Sequence, residues 1–159
     1  MSPLTIRFLF SLLFVLCAGA QMMTNPYGPN ISLENAKKAA APALAEARKN
    51  NWTMVVAIVD AAGDLVYYEK MDNTQLGSSQ VAIGKARSAV RFKRPTKAFQ
   101  DAVAGGGAGV RMLGLEGAVP IEGGIPIVMD GKIVGAIGVS GDSSDHDGIC
   151  AKAGADALK

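Results

Sequence analysis

The chain has 159 residues, 49% hydrophobic and 19% charged, with a formal net charge of +2, one histidine and two cysteines. That balance is too apolar for a disordered chain and too near neutral for a nucleic-acid binder, and two cysteines cannot build a disulfide-stapled scaffold. The length suits one domain with a sizeable core.

Residues 1–20 read as a signal peptide. Arg7 supplies the positive start, Phe8–Leu16 is an uninterrupted apolar run, and Ala18-Gly19-Ala20 places small residues before a cut at Gln21. The run is too short to serve as a mature membrane anchor, and Leu16 is too large a neighbour for Cys17 to act as a lipoprotein cysteine. The expected product is exported, periplasmic or secreted, with Cys150 as its one thiol. Gln21–Asn30, with two prolines and a glycine, reads as a mobile tail, and residues 31–159 as one domain.

Ser32 is a good N-cap for a helix reaching about Asn50, in which Ala36, Ala39, Ala40, Ala43, Leu44 and Ala47 form a small-residue face. Pro42 lies inside that pattern and should kink or divide it. Met54–Asp60 and Asp64–Met71 are β-branched and aromatic runs around a turn at Gly63, and predict two strands. Ser78–Arg91 has helical periodicity, and Pro95 redirects the chain into a short helix at Thr96–Val103. Ala104–Gly109 reads as a flexible or close-approach loop; it lacks the Gly-Lys-Ser/Thr of a phosphate-binding loop.

Ile125–Met129 and Lys132–Val139 flank Asp130-Gly131, a dipeptide suited to a tight type I′ hairpin. Gly123, Gly124, Gly135, Gly138 and Gly141 punctuate this stretch, and glycines inside strands imply that a helix, a subunit or a ligand packs on the backbone. A last helix is predicted from Ser143–Asp145 to Ala157, with Ser144 or Asp145 capping its start. Hairpins joined by helices argue for an α/β (α+β) fold with a largely antiparallel sheet covered by helices.

Three clusters have chemical potential. From Asn73 to Gln100 there is no acidic residue, and Arg87, Arg91 and Arg94 fall at i, i+4 and i+7, a candidate carboxylate-binding face if the helix continues. Asp142, Asp145, His146 and Asp147 form either a charged helix start or a divalent-metal site; an EF-hand register from Ser143 fails because Gly154 stands where a glutamate is needed. Glu122-Gly123-Gly124 enters the hairpin, either as a pocket wall or as a solvated turn.

The blocks MVVAIVDAAGDLVYYEKMD (54–72), SSQVAIGKARSAVRFKRPT (78–96), IEGGIPIVMDGKIVGAIGVSG (121–141) and GVSGDSSDHDGICAKAG (138–154) resemble the GlcG/HbpS family over roughly residues 31–159. That family includes secreted haem-binding proteins and the C-terminal domain of PduO-type corrinoid adenosyltransferases. The resemblance implies an α-β-α sandwich of profilin-like type, assembled into homo-oligomers. It also implies a haem or related tetrapyrrole as ligand, with haem sensing or degradation among the family's roles. Asp72, Lys85, Glu122, Gly123 and Gly124 lie in the matching blocks.

The sequence departs from the PduO-type domain in one respect: residues 32–50 contain no histidine to serve as a ligand. His146, the sole imidazole, is therefore the candidate haem-iron ligand, and Arg87, Arg91 and Arg94 the candidate propionate partners. The alternative reading is a small periplasmic lyase, isomerase or hydrolase acting on an organic acid or aromatic metabolite. There Lys85 or Arg91 would hold a carboxylate while Glu122 or Asp72 moves a proton. Mass spectrometry of the exported protein is expected to show Gln21 as the first residue; an intact Met1 on a cytoplasmic product would refute the export reading.

Overall fold

The computed structural model describes residues 22–159; the expected signal peptide lies outside the described residues. Helix α1 (Leu33–Lys49) leads into strands β1 (Val55–Asp60) and β2 (Leu65–Lys70), then helices α2 (Ser78–Arg91) and α3 (Lys97–Ala104). A 3-10 turn (Gly107–Gly114), strands β3 (Gly124–Met129) and β4 (Lys132–Ser140), and helix α4 (Ser144–Asp156) complete the chain. The strands form one antiparallel sheet in the order β2-β1-β4-β3. Helices α1 and α4 cover one face and α2 the other. The α/β sandwich expected from the sequence is the one observed.

Because both faces are covered, all six residues of β1 are buried. Val56 and Ile58 point into the layer made by α1 and α4, and Val55, Ala57 and Val59 point toward α2, the two-residue alternation of a pleated strand. The β3–β4 connection is the two-residue turn expected: Met129 pairs with Lys132, and Asp130 and Gly131 have φ of 48° and 72°.

A helix packs on two of the hairpin glycines, while Gly135 and Gly141 lie against the backbone of Val59 and Thr53. Gly124 and Gly138 are register partners on adjacent strands. A Cβ on Gly138 would fall 2.0 Å from the Ala82 carbonyl oxygen, and one on Gly124 would fall 2.4 Å from that of Lys85. The backbone of α2 thus lies directly on the sheet. Gly109 makes a similar approach to α3, where its Cβ would meet the Ala102 carbonyl, so the 104–109 loop is a close-approach loop.

Three local expectations are corrected. Residues 23–31 are not a mobile tail. β1 pairs with β4 only from Gly135 onward, which leaves the polar groups of Ile133 and Val134 open. The N-terminal segment fills them: Ile133 N–H donates to the Pro26 carbonyl, Gly28 N–H to that of Ile133, and Ile31 N–H to that of Val134. Pro42 does not divide α1, which runs unbroken because its buried alanine face and its Ser32 cap, accepting from Asn35 N–H, hold it on both sides of the missing donor. The cap of α4 is Ser143, whose Oγ accepts from His146 N–H, and not Ser144 or Asp145.

Gly138→Ala is expected to cost about 3 kcal/mol or more, since the clash is with α2 backbone and not a movable side chain. Gly114→Ala, where a Cβ meets nothing within 4 Å, should stay within about 0.5 kcal/mol of wild type. Urea denaturation midpoints check both.

Candidate functional site

Beside the edge strand β3, between α4 and the α2–α3 junction at Pro95, runs a trough. Its larger part is a cavity of about 620 Å³ whose floor is Ile125, Pro126 and Val128 and whose far wall includes Met23 and Asn25. Its smaller part, about 160 Å³, is bounded by Lys97, Glu122, Gly123, Gly124 and Gly148. The two share Pro95, Ile125 and Lys152. A separate recess of about 310 Å³ near Asn35 and Met129 contains none of the candidate residues.

Beneath the smaller part lies a buried ion pair. Lys85 Nζ, on α2, is 2.6 Å from Asp147 Oδ2, on α4, and also donates to the Val139 carbonyl at 3.1 Å. Lys85 has no exposed side-chain surface and Asp147 only 3%. Burial pulls the lysine's pKa down and pushes the aspartate's up, each opposed by its partner. Gly123 covers the pair: its φ is +124°, and a Cβ there would lie 2.9 Å from Lys85 Nζ and 2.8 Å from Asp147 Cβ. Only glycine satisfies both the backbone and the space.

Glu122 stands above this cover. Its N–H donates to Gln100 Oε1 at 2.8 Å. Its carboxylate lies over Gly148, where a Cβ would come within 2.3 Å of Oε1. Burial pushes the Glu122 carboxyl above its ordinary range, with Asp145 and Asp101 adding to the shift and Lys97, 3.7 Å away, opposing it. On the rim of the larger part, Lys152 and Lys159 both pair with Asp156, which holds two ammoniums on one side of the apolar floor.

Of the residues singled out in the sequence, the structure gathers Lys85, Glu122, Gly123 and Gly124 at one place. Lys85 is under the site and not in it, so it cannot receive a ligand's carboxylate. Asp72 is exposed in the turn after β2, away from this group.

The three arginines do not share a face. α2 stops at Arg91 and Lys93 takes a φ of 50°, a left-handed stop that turns the chain away. Arg87 Nε donates to the Gly63 carbonyl, Arg91 lies beside Gly63 and Gly117, and Arg94 Nε bonds the Phe92 carbonyl while its guanidinium covers the Phe99 ring.

His146 stacks on Trp52 with ring centroids 3.8 Å apart, and its buried Nδ1 is 3.3 Å from Asp142 Oδ1. Trp52 precedes β1 and Gly63 follows it, so His146 and the arginines stand at opposite ends of a six-residue strand, about 20 Å of backbone. They cannot serve one small ligand together. Among the described residues no three acidic, histidine or cysteine side chains form a metal cluster; Asp147 has turned inward to Lys85.

The sequence reading missed Lys97, Gly148, Lys152 and Lys159 as site residues, and offered Asp147 for a charged helix start or a metal site and not as the partner of Lys85. Gly148, Lys152 and Asp156, at i, i+4 and i+8, were legible as one helix face. The Lys85–Asp147 pairing had no local signal, because the two residues are 62 apart in the chain.

Removing one member of the buried pair leaves an uncompensated charge, so Lys85→Met is expected to cost about 3–5 kcal/mol. Burial opposes ionisation of both partners, so Lys85→Met with Asp147→Leu should recover most of that loss. Denaturant titration of the single and double variants decides.

Comparison with known proteins places this arrangement. A family described as "Haem degrading protein HbpS-like" matches residues 31–156. Protein GlcG of Escherichia coli K12 is 35% identical over 110 residues, covering 69% of this chain and 81% of that protein. A crystal structure of a double mutant of Streptomyces reticuli HbpS superposes with a TM-score of 0.75 at 28% identity, covering all of this chain and 98% of the other. The crystal structure of a PduOC:heme complex gives a TM-score of 0.73 at 29% identity, covering 82% and 96%. From its sandwich of helices on a four-stranded sheet to its sequence over residues 31–156, the chain belongs to the HbpS-like family.

Proposed function

We propose that this protein binds haem or a closely related tetrapyrrole outside the cytoplasm. The observation that carries the reading is the likeness, over 82% of the chain, to a structure solved as a haem complex. The trough supports it. About 620 Å³ of mostly apolar space is within the range of cavities that enclose a ligand of drug size, and Ile125, Pro126 and Val128 offer apolar contacts to a macrocycle along the strand edge. Lys152 and Lys159 stand where propionates would be paired.

The residues fit the ring and its carboxylates, but they bring no imidazole to an iron in the trough. Haem, when bound, would contribute the redox chemistry of its iron; the chain's part is to seat the ring and exclude water from one side of it. Export rests on the signal-like residues 1–20. A homo-oligomer is supported by apolar side chains left on the surface, Leu76 at 86% exposure and Leu113 at 63%, and light scattering of the mature protein reads its mass. Haem degradation, the property in the family's description, is the finer reading, tested by loss of the Soret band of the loaded protein in air with ascorbate.

A second reading rests on Glu122. Its raised pKa and its place beside Lys97 suit proton transfer on a small organic acid, with Lys97 or Lys152 as the carboxylate's partner in place of the expected Lys85 or Arg91.

Hemin titration of the mature protein is expected to give a saturable Soret change at low micromolar concentration. No saturable change would refute the haem reading and leave the Glu122 reading in its place. A fall in the band on adding organic acids would show that the two ligands share the trough.

A further inference from the structure

We infer that this chain recognises the tetrapyrrole through its ring faces and carboxylates and not through its metal, so that a metal-free porphyrin occupies the same trough as haem. The inference rests on the haem reading above and concerns what that site demands of its ligand.

The chain has one histidine. On α4, Gly148, Lys152 and Ala155 follow at i, i+4 and i+7 and face the trough, and Lys159, just past the end of the helix, also lines it. His146 is six residues before Lys152, about 120° around the helix, and is stacked on Trp52 beyond the far side. A ring in the trough is out of its reach.

The other strong donors are also committed. The Cys150 thiol is buried, with its pKa pushed up to about 12, so it offers no thiolate. Tyr27 donates to the Val90 carbonyl, Tyr67 to Glu69 and Tyr68 to Ser79. Among the described residues, the one soft donor on the trough wall is the neutral Met23 thioether.

The groups that recognise a porphyrin without its metal are present. Ile125, Pro126 and Val128 lie along the floor, and Lys152 and Lys159 lie on one rim. Both ammoniums share the single carboxylate of Asp156, so this rim keeps a surplus positive charge for a ligand carboxylate. Asp130, at the end near the β3–β4 turn, favours the orientation that keeps carboxylates at the α4 end.

The test is a pair of titrations of the mature protein, with hemin and with protoporphyrin IX, read by porphyrin absorbance and by protein fluorescence. The expected result is two dissociation constants within about threefold of each other. The double variant Lys152→Gln with Lys159→Gln should weaken both ligands alike, by about tenfold or more. His146→Ala should leave the hemin constant within about threefold, and Met23→Leu, which removes the sulfur and keeps an apolar side chain, should change the hemin and protoporphyrin IX constants by the same factor, with circular dichroism confirming that each variant is folded. Hemin bound 30-fold or more tighter than protoporphyrin IX, lost in His146→Ala, or weakened in Met23→Leu while protoporphyrin IX is not, would overturn the inference while sparing the haem reading. Failure of both ligands to bind wild type would overturn both.

Discussion

The Lys85–Asp147 ion pair is the joint on which the rest of this molecule depends. α2 and α4 lie on opposite faces of the sheet, and the pair connects them around the end of β4, where Lys85 also bonds the Val139 carbonyl. Two charges so deeply buried gain little net stability over apolar replacements, but they fix geometry. Lys85 reaches Asp147 only if α2 lies flat on Gly124 and Gly138 and if Gly123 carries no side chain. The glycines, the tilt of α2 and the first turn of α4 are therefore set together, and Glu122 is presented above them as a result.

The trough follows from the same constraint. Its smaller end is roofed and floored by the residues that accommodate the pair, and its larger end exists because β3 is an edge strand whose outer side α4 only half covers. A site made in this way has apolar strand residues on the sheet side and charged side chains on the helix side. That combination suits a flat apolar ligand with acidic substituents at one edge.

What the sequence made legible was local. Ser32 as a cap, Asp130-Gly131 as a turn and the span Ser78–Arg91 as a helix each depend on neighbours within a few residues, and each is where it was expected. The hairpin glycines announced close packing but not its agent, since α2 lies more than 30 residues earlier. The misreadings were of long-range pairing. Lys85 reads in the sequence as a partner for a ligand's carboxylate, but Asp147, on another helix, takes its ammonium instead. The strap at residues 23–31 looked mobile because nothing in its own composition reveals that Ile133 and Val134 have open backbone groups. The arginine face failed by one residue, because the left-handed Lys93 ends the periodicity on which Arg94's placement relied.

Pro126 has a consequence for how copies of this chain meet. Exposed sheet edges are templates on which a further strand, from another molecule, can add by backbone hydrogen bonds. Pro126 lies within β3, the outermost strand on its side, and has no amide hydrogen to offer such a strand. Growth of the sheet through this edge is therefore blocked, and the trough floor is not closed by intermolecular β-pairing. Backbone pairing between two copies of this sheet is left to its other edge, at β2.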